Sequence, residues 1–200
     1  MSEVKTDKLS PRTGSGTVTL GTSGDTFSIP SGVTLSNSGT ASGFGGDNTP
    51  AFQAYISSNQ ALGDNVYATV AANTEDFDTD SAYNNSTYTF TVPSGEGGKY
   101  FLYLYGDVQS GGGSSFILDD TVMQIRINSE SSSTARFSKY HDDYVGGNTK
   151  SVFVSGVVIL SAADTVKFWI RQNVGAGYAS NLLGNAQRPT VVGGYKMIGL

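Results

Sequence analysis

The chain has no cysteine and little charge, since charged residues make up 14% of its 200 residues. Without cysteine, neither disulfides nor thiolate metal sites can form. The formal net charge is −5 and no basic run is present, so the sequence predicts no nucleic-acid partner. It also lacks an apolar run of the roughly 18–20 residues that a membrane helix needs. We therefore expect no membrane insertion.

The sequence has little of what a hydrolytic site would need. Its single histidine, His141, lies in the polar run 139–144, and no Gly-x-Ser-x-Gly elbow supplies an activated serine. A polysaccharide depolymerase would need paired carboxylates facing a groove, and acidic residues cluster only at 75–80. We predict that the protein is not an enzyme and uses no organic cofactor.

What is present favours β-structure. Hydrophobic residues make up 38% of the chain, with 11 tyrosines, 10 phenylalanines and 26 glycines, a composition that suits short strands joined by tight turns. Two-residue alternation places 88–92 in one strand and 100–105 in the next. In the second of these, Tyr100, Leu102 and Leu104 point to one face, and the aromatic residues between them point to the other. A strand that is apolar on both faces must be covered on both.

Alternation predicts further strands at 66–70, 122–127, 135–140, 152–160 and 166–171. In the last of these, Val166, Phe168 and Ile170 should point inward, while Trp169 points outward with its charged neighbours. The polar run 75–86 is predicted to be a loop. No stretch of useful length has helical periodicity, so the class is all-β, an antiparallel sandwich.

The composition divides the chain into two parts, an N-terminal anchor or stalk at 1–46 and a head domain at 47–200. The anchor contains three short alternating runs separated by Gly/Ser/Asp turns. Its six apolar side chains are too few for an independent core. We expect three copies of a short β-rich stalk to pool these residues as an anchor core: Val18, Leu20, Phe27, Ile29, Val33 and Leu35.

A set of positions in the head matches a known pattern in order and spacing: Ala51, Phe52, Asn73, Tyr83, Thr89, Phe90, Pro93, Gly98, Tyr100, Leu102, Ser155, Gly156, Leu160, Asp164, Val166 and the end of the chain at 198–200. In these residues the head resembles the globular-head family of complement and tumour-necrosis-factor-like proteins. The resemblance covers most of residues 50–200 and departs from the family at Leu102, where Phe is usual, and at Ala163, where Gly is usual. It implies an antiparallel jelly-roll β-sandwich that forms a homotrimer.

The leader, from Val4 to Leu35, is similar to N-terminal segments of small bacteriophage virion proteins. Residues 1–8 are polar and predict no signal peptide, which agrees with a phage origin. The resemblance implies a virion location and a trimeric fibre subunit, anchored to tail or capsid proteins, that attaches to a host-surface glycan or protein. Two alternatives stay open: a capsid decoration or head-fibre protein that stabilises the head, and a secreted ligand-binding module of the same fold.

Three sets of candidate site residues follow. The trimer interface is predicted to use Phe101, Tyr103, Tyr105 and Trp169. Host or ligand contact is predicted at loop residues His141, Tyr144 and Tyr178. A Ca²⁺ ion, which some members of the resembled family bind, would use the alternating carboxylates Asp76, Asp78 and Asp80; the alternative is a solvated acidic loop.

Overall fold

The computed structural model describes residues 9, 14, 17–38, 48–111, 118–142, 149–174, 179–185 and 188–198. The chain divides into two units, residues 1–44 and 45–200. In the first unit, residues 17–38 contain turns but no strand. Residues 17–38 therefore form no β-structure within one copy, because these short runs offer too little apolar surface to bury.

Almost all of the regular secondary structure described in the second unit is β-strand. Among the described residues these are β1 (Ala51–Tyr55), β2 (Gln60–Leu62), β3 (Val66–Thr69), β4 (Thr74–Asp78), β5 (Tyr83–Asn84), β6 (Thr89–Thr91), β7 (Gly98–Ser110), β8 (Leu118–Ile127), β9 (Phe137–Asp142), β10 (Thr149–Leu160), β11 (Thr165–Val174), β12 (Ser180–Leu182), β13 (Gly184–Asn185), β14 (Arg188–Pro189) and β15 (Val191–Lys196). A single 3₁₀ turn, Ser132–Thr134, is the only helical element in the described part of the chain.

Two antiparallel sheets form the sandwich. The first has the order β2-β12-β7-β15-β1-β4, with β10 paired to the other side of β7, and the second has the order β5-β6-β11-β8-β9. The predicted all-β jelly-roll sandwich is confirmed. The long strands follow the predicted alternation: Tyr100, Leu102 and Leu104 are fully buried between the sheets, as are Val166, Phe168 and Ile170 of the second sheet.

The prediction of a loop over the polar run 75–86 is wrong. The run contains strand β5 and most of strand β4. Strand β4 pairs with β1 at the edge of the first sheet, and most of its residues are exposed. An edge strand needs partners on one side only and commonly carries charge that discourages further pairing. Its sequence therefore shows no apolar alternation that could reveal it.

The two sheets meet closely where β10 of one passes β9 of the other. Gly156 of β10 faces Phe137 of β9, and a Cβ at position 156 would overlap the Phe137 ring. We expect Gly156→Ala to destabilise the fold by about 1–3 kcal/mol, the usual effect of overpacking, measured by urea unfolding. Gly63→Ala is the control, since a Cβ there meets only Val66 at 3.7 Å. Equal midpoints for the two variants would contradict this packing.

Candidate functional site

One outer face of the sandwich is apolar and open to solvent. It is the outer side of the first sheet, where β10 and β15 flank β7 and residues directly opposite each other share the face. Ile159 and Phe153 are 73% and 52% exposed, and Tyr105 is 42% exposed. We call this surface the aromatic face; its members are Phe101, Tyr103, Tyr105, Phe153, Val157, Ile159 and Tyr195.

Three aromatic rings of this face, those of Tyr103, Phe101 and Tyr195, form a connected row. The Phe101 ring centroid lies 6.0 Å from that of Tyr103 and 5.6 Å from that of Tyr195. The Tyr103 ring covers Gly193, where a Cβ would overlap it, and its hydroxyl donates to Gln53 Oε1 at 2.6 Å. Burial raises the pKa of Tyr103. The sheet thus holds Tyr103 flat and leaves Tyr105 and its β10 neighbours exposed.

The apolar part of this face has a polar boundary. At one end, Ser151 Oγ donates to Asp107 Oδ1 at 2.5 Å, and these two residues pair directly across β7 and β10. At the other end, Ile159 pairs with Lys99. An exposed apolar patch with a polar rim is the usual form of a protein–protein contact surface.

The outer face of the second sheet is different, because the chain covers the part of it around Arg126. The guanidinium of Arg126, a residue 2% exposed, lies 4.1 Å from the Trp169 ring centroid and 4.7 Å from that of Tyr67. Arg126 Nε donates to Gln124 Oε1 at 2.9 Å, and Nη1 donates to the backbone oxygen of Glu130 at 2.5 Å. Burial lowers the pKa of Arg126.

Ion pairs and the polar segment 130–132, which we call the covering segment, lie over this part of the second face. Lys167 Nζ lies 2.7 Å from Glu130 Oε1, and Arg171 pairs with Asp120. In the covering segment, the backbone oxygen of Ser132 accepts a hydrogen bond from Gln124 Nε2 at 3.2 Å. Around Arg126 this face therefore has its cover within a single chain, whereas Tyr140 of β9, which pairs with Val122 on the same face, is 52% exposed.

These contacts separate the predicted interface residues. Phe101, Tyr103 and Tyr105 lie together on the aromatic face, but Trp169 lies on the opposite side of the sandwich against Arg126. Alternation correctly predicts that Trp169 points outward. It could not predict that other residues cover this side chain, because Tyr67 and Glu130 lie far from Trp169 in sequence. Sequence reasoning likewise missed the exposed β10 residues Phe153, Val157 and Ile159 as part of the same surface.

The predicted calcium ligands do not form a site. Asp76 Oδ2 accepts from Gln53 Nε2 at 2.7 Å, and Asp78 Oδ2 accepts from the Tyr83 amide at 2.8 Å. Asp80 Oδ2 accepts from Thr79 Oγ1 at 2.5 Å. Across the residues that the structure describes, no group of three or more acidic or histidine side chains could hold a metal ion. The three carboxylates serve local hydrogen bonds of the β4 edge instead.

Of the predicted host-contact residues, Tyr144 and Tyr178 lie outside the described residues. His141 is on edge strand β9 rather than in a loop, and it pairs with Thr121 of β8. The six anchor residues are all exposed in the single chain, from 39% for Ile29 to 67% for Phe27. Their pooling between copies stays a prediction.

Comparisons with solved structures give domains of the complement and tumour-necrosis-factor type. Murine APRIL aligns with a TM-score of 0.51 at 14% identity, over 74% of this chain and 99% of that one. The globular domain of zebrafish complement 1qA protein aligns at 0.49 and 15% identity, over 74% and 98% of the chains. Eiger TNF from S. frugiperda aligns at 0.49 and 13%, over 74% and 91%. At these identities the APRIL likeness shows the jelly-roll fold alone.

No protein-family model and no curated protein sequence matches the chain. The described residues contain no helix that is long and apolar enough to span a membrane.

Proposed function

We propose that the protein is a structural, non-enzymatic subunit that assembles as a homotrimer through the aromatic face. In its specific form the proposal is a bacteriophage fibre subunit, anchored to the virion by residues 1–46 and presenting the jelly-roll head to a host surface. The observation that carries the assembly is the contrast between the two outer faces. One is covered around Arg126 by the chain's own aromatic and ionic contacts, with Tyr140 exposed on its edge strand. The other leaves a set of neighbouring apolar residues open to solvent, of which Phe153 and Ile159 are more than half exposed.

A cyclic trimer needs two different patches on each copy, because its interface is heterologous. We place the second patch at a groove of about 560 Å³ between β8 of the second sheet and β10 of the first. Its apolar lining includes Ile127, Val158 and Ile159, with Arg136 at its side. The groove and the aromatic face share Ile159, so a neighbouring copy that entered the groove would extend a continuous apolar contact.

The exposed apolar residues of the leader support an anchoring role. Phe27 and Val33 are 67% and 59% exposed, and an apolar side chain gains about 25 cal/mol for each Å² that a partner covers. Neighbouring leaders or another virion protein would supply that cover. The virion location itself rests on the resemblance of the leader, and the fibre role on the predicted contacts of His141, Tyr144 and Tyr178 with a host surface.

The first test is the molar mass of the full chain in solution, measured by light scattering. A trimer of the 20.9 kDa chain has a mass of about 63 kDa. A dimer would mean that the aromatic face pairs with itself in an isologous contact. A stable monomer would remove the physical basis of the assembly, because the open face would then tolerate solvent.

The virion role needs a separate test. Particles purified from the source should contain the chain as a stoichiometric component by mass spectrometry. Antibody against the head should block adsorption if the chain is a fibre, whereas loss of the chain should lower the heat resistance of the particle if it decorates the head. Absence of the chain from purified particles would contradict both virion roles.

A further inference from the structure

Two buried polar side chains meet inside the second sheet, on neighbouring strands. Thr121 of β8 and Gln172 of β11 are both 0% exposed, and they pair directly in the β8–β11 register. Thr121 Oγ1 donates to Gln172 Oε1 at 2.5 Å. This distance brings a hydroxyl nucleophile against the carboxamide of a residue 51 positions away in sequence.

The backbone holds both partners in place. Gln172 O accepts from the Asn65 amide at 2.7 Å, and Gln172 Nε2 donates to Asn173 O at 2.8 Å. Thr121 lies in β8, which is paired on both sides, to β11 and β9. Reacting groups fixed in this way gain a large effective concentration, and burial keeps water from competing with the hydroxyl.

The only histidine of the chain adjoins the same pair. His141 of β9 is directly opposite Thr121 in the β8–β9 register, on the side away from Gln172, and it is half-buried. Directly opposite residues share a face, with their Cβ atoms about 4.5–5.5 Å apart. An imidazole at this position can accept and return a proton.

We propose that Thr121 and Gln172 form an intramolecular ester that links β8 to β11. The Thr121 oxygen bonds to the side-chain carbonyl carbon of Gln172, and the carbon–nitrogen bond of the amide breaks. The hydroxyl proton passes to His141, and His141 returns it to the nitrogen of the tetrahedral intermediate. That nitrogen is bonded to the same carbon as the Thr121 oxygen, and it leaves as ammonia. No oxidant or co-reactant is consumed. The link is independent of the trimer and of the virion role, and it would strengthen a subunit exposed to mechanical load.

The test is the intact mass of the full chain in denaturant, freshly purified and after prolonged warming. The ester lowers the mass by one ammonia. Protease digestion should then leave the segments 118–127 and 165–174 joined in one product. A mass that equals the unmodified sequence in both samples would overturn the proposal.

Matched variants distinguish the ester from other losses of ammonia. Thr121→Val keeps the shape but removes the nucleophile, so it should show the full mass, whereas Thr121→Ser should still form the link. His141→Gln should form it several times more slowly. A mass loss that persists in Thr121→Val would overturn the ester, and an unchanged rate in His141→Gln would overturn the proton-transfer role.

Discussion

Replacing Phe153 by lysine should convert the proposed trimer into a monomer of 20.9 kDa. Phe153 is 52% exposed and lies directly opposite Tyr105, at the end of the aromatic face next to Ser151 and Asp107. A trimer would bury three lysine ammonium groups among aromatic rings, and each buried, unpaired charge costs several kcal/mol. That cost opposes the association of the three copies. Light scattering at equal chain concentrations measures the change, and circular dichroism checks that the fold is kept.

The matched control is Val66→Lys. Val66 is 59% exposed but belongs to β3, which is not part of the aromatic face. This variant carries the same added charge and a comparable loss of exposed apolar surface, so its molar mass should equal that of the unchanged protein. If Phe153→Lys remains trimeric, or if Val66→Lys dissociates as well, the interface lies elsewhere.

The strands that cross the core could be predicted because a single physical rule governs them. Residues 100–105 of β7 alternate between the core and the outer face, and the sequence contains the same alternation in apolar and aromatic side chains. Strand β11 follows it equally well, from Val166 to Ile170. Where one face is buried, a shift of one residue would expose the whole apolar set, so pattern and structure must agree.

The parts that alternation could not reveal depend on distant chain segments. By alternation Arg126 points outward from β8. It is nevertheless fully buried, because Tyr67 and the covering segment at Glu130 pack against it. The proximity of Thr121, Gln172 and His141 requires the strand order β11-β8-β9, which no local pattern shows. For the same reason the sequence grouped Trp169 with Phe101, Tyr103 and Tyr105 in one interface, although it lies on the other sheet. Alternation predicts which side of a strand a residue faces, but only the sheet to which the strand belongs determines what packs against that side.

The other large effect concerns the core itself. We expect Phe52→Ala to lower the free energy of unfolding by about 3–5 kcal/mol, as for other buried phenylalanines. Phe52 of β1 is 1% exposed. Its ring stacks on Phe90 at 4.5 Å and on Tyr83 at 5.1 Å between centroids. Those two residues belong to the second sheet, so this ring joins the two layers, and its loss leaves a cavity that the stacked neighbours cannot fill together.

The measurement is thermal and urea unfolding at a fixed chain concentration, because assembly makes the midpoint depend on concentration. For a chain of this size the expected fall in the thermal midpoint is on the order of 10 °C. Phe77→Ala is the control, since Phe77 lies on the adjacent strand β4 but is 47% exposed. It removes the same ring from the surface and should change stability by about 0.5 kcal/mol or less. A comparable loss in both variants would mean that the stacked ring of Phe52 does not hold the sheets together.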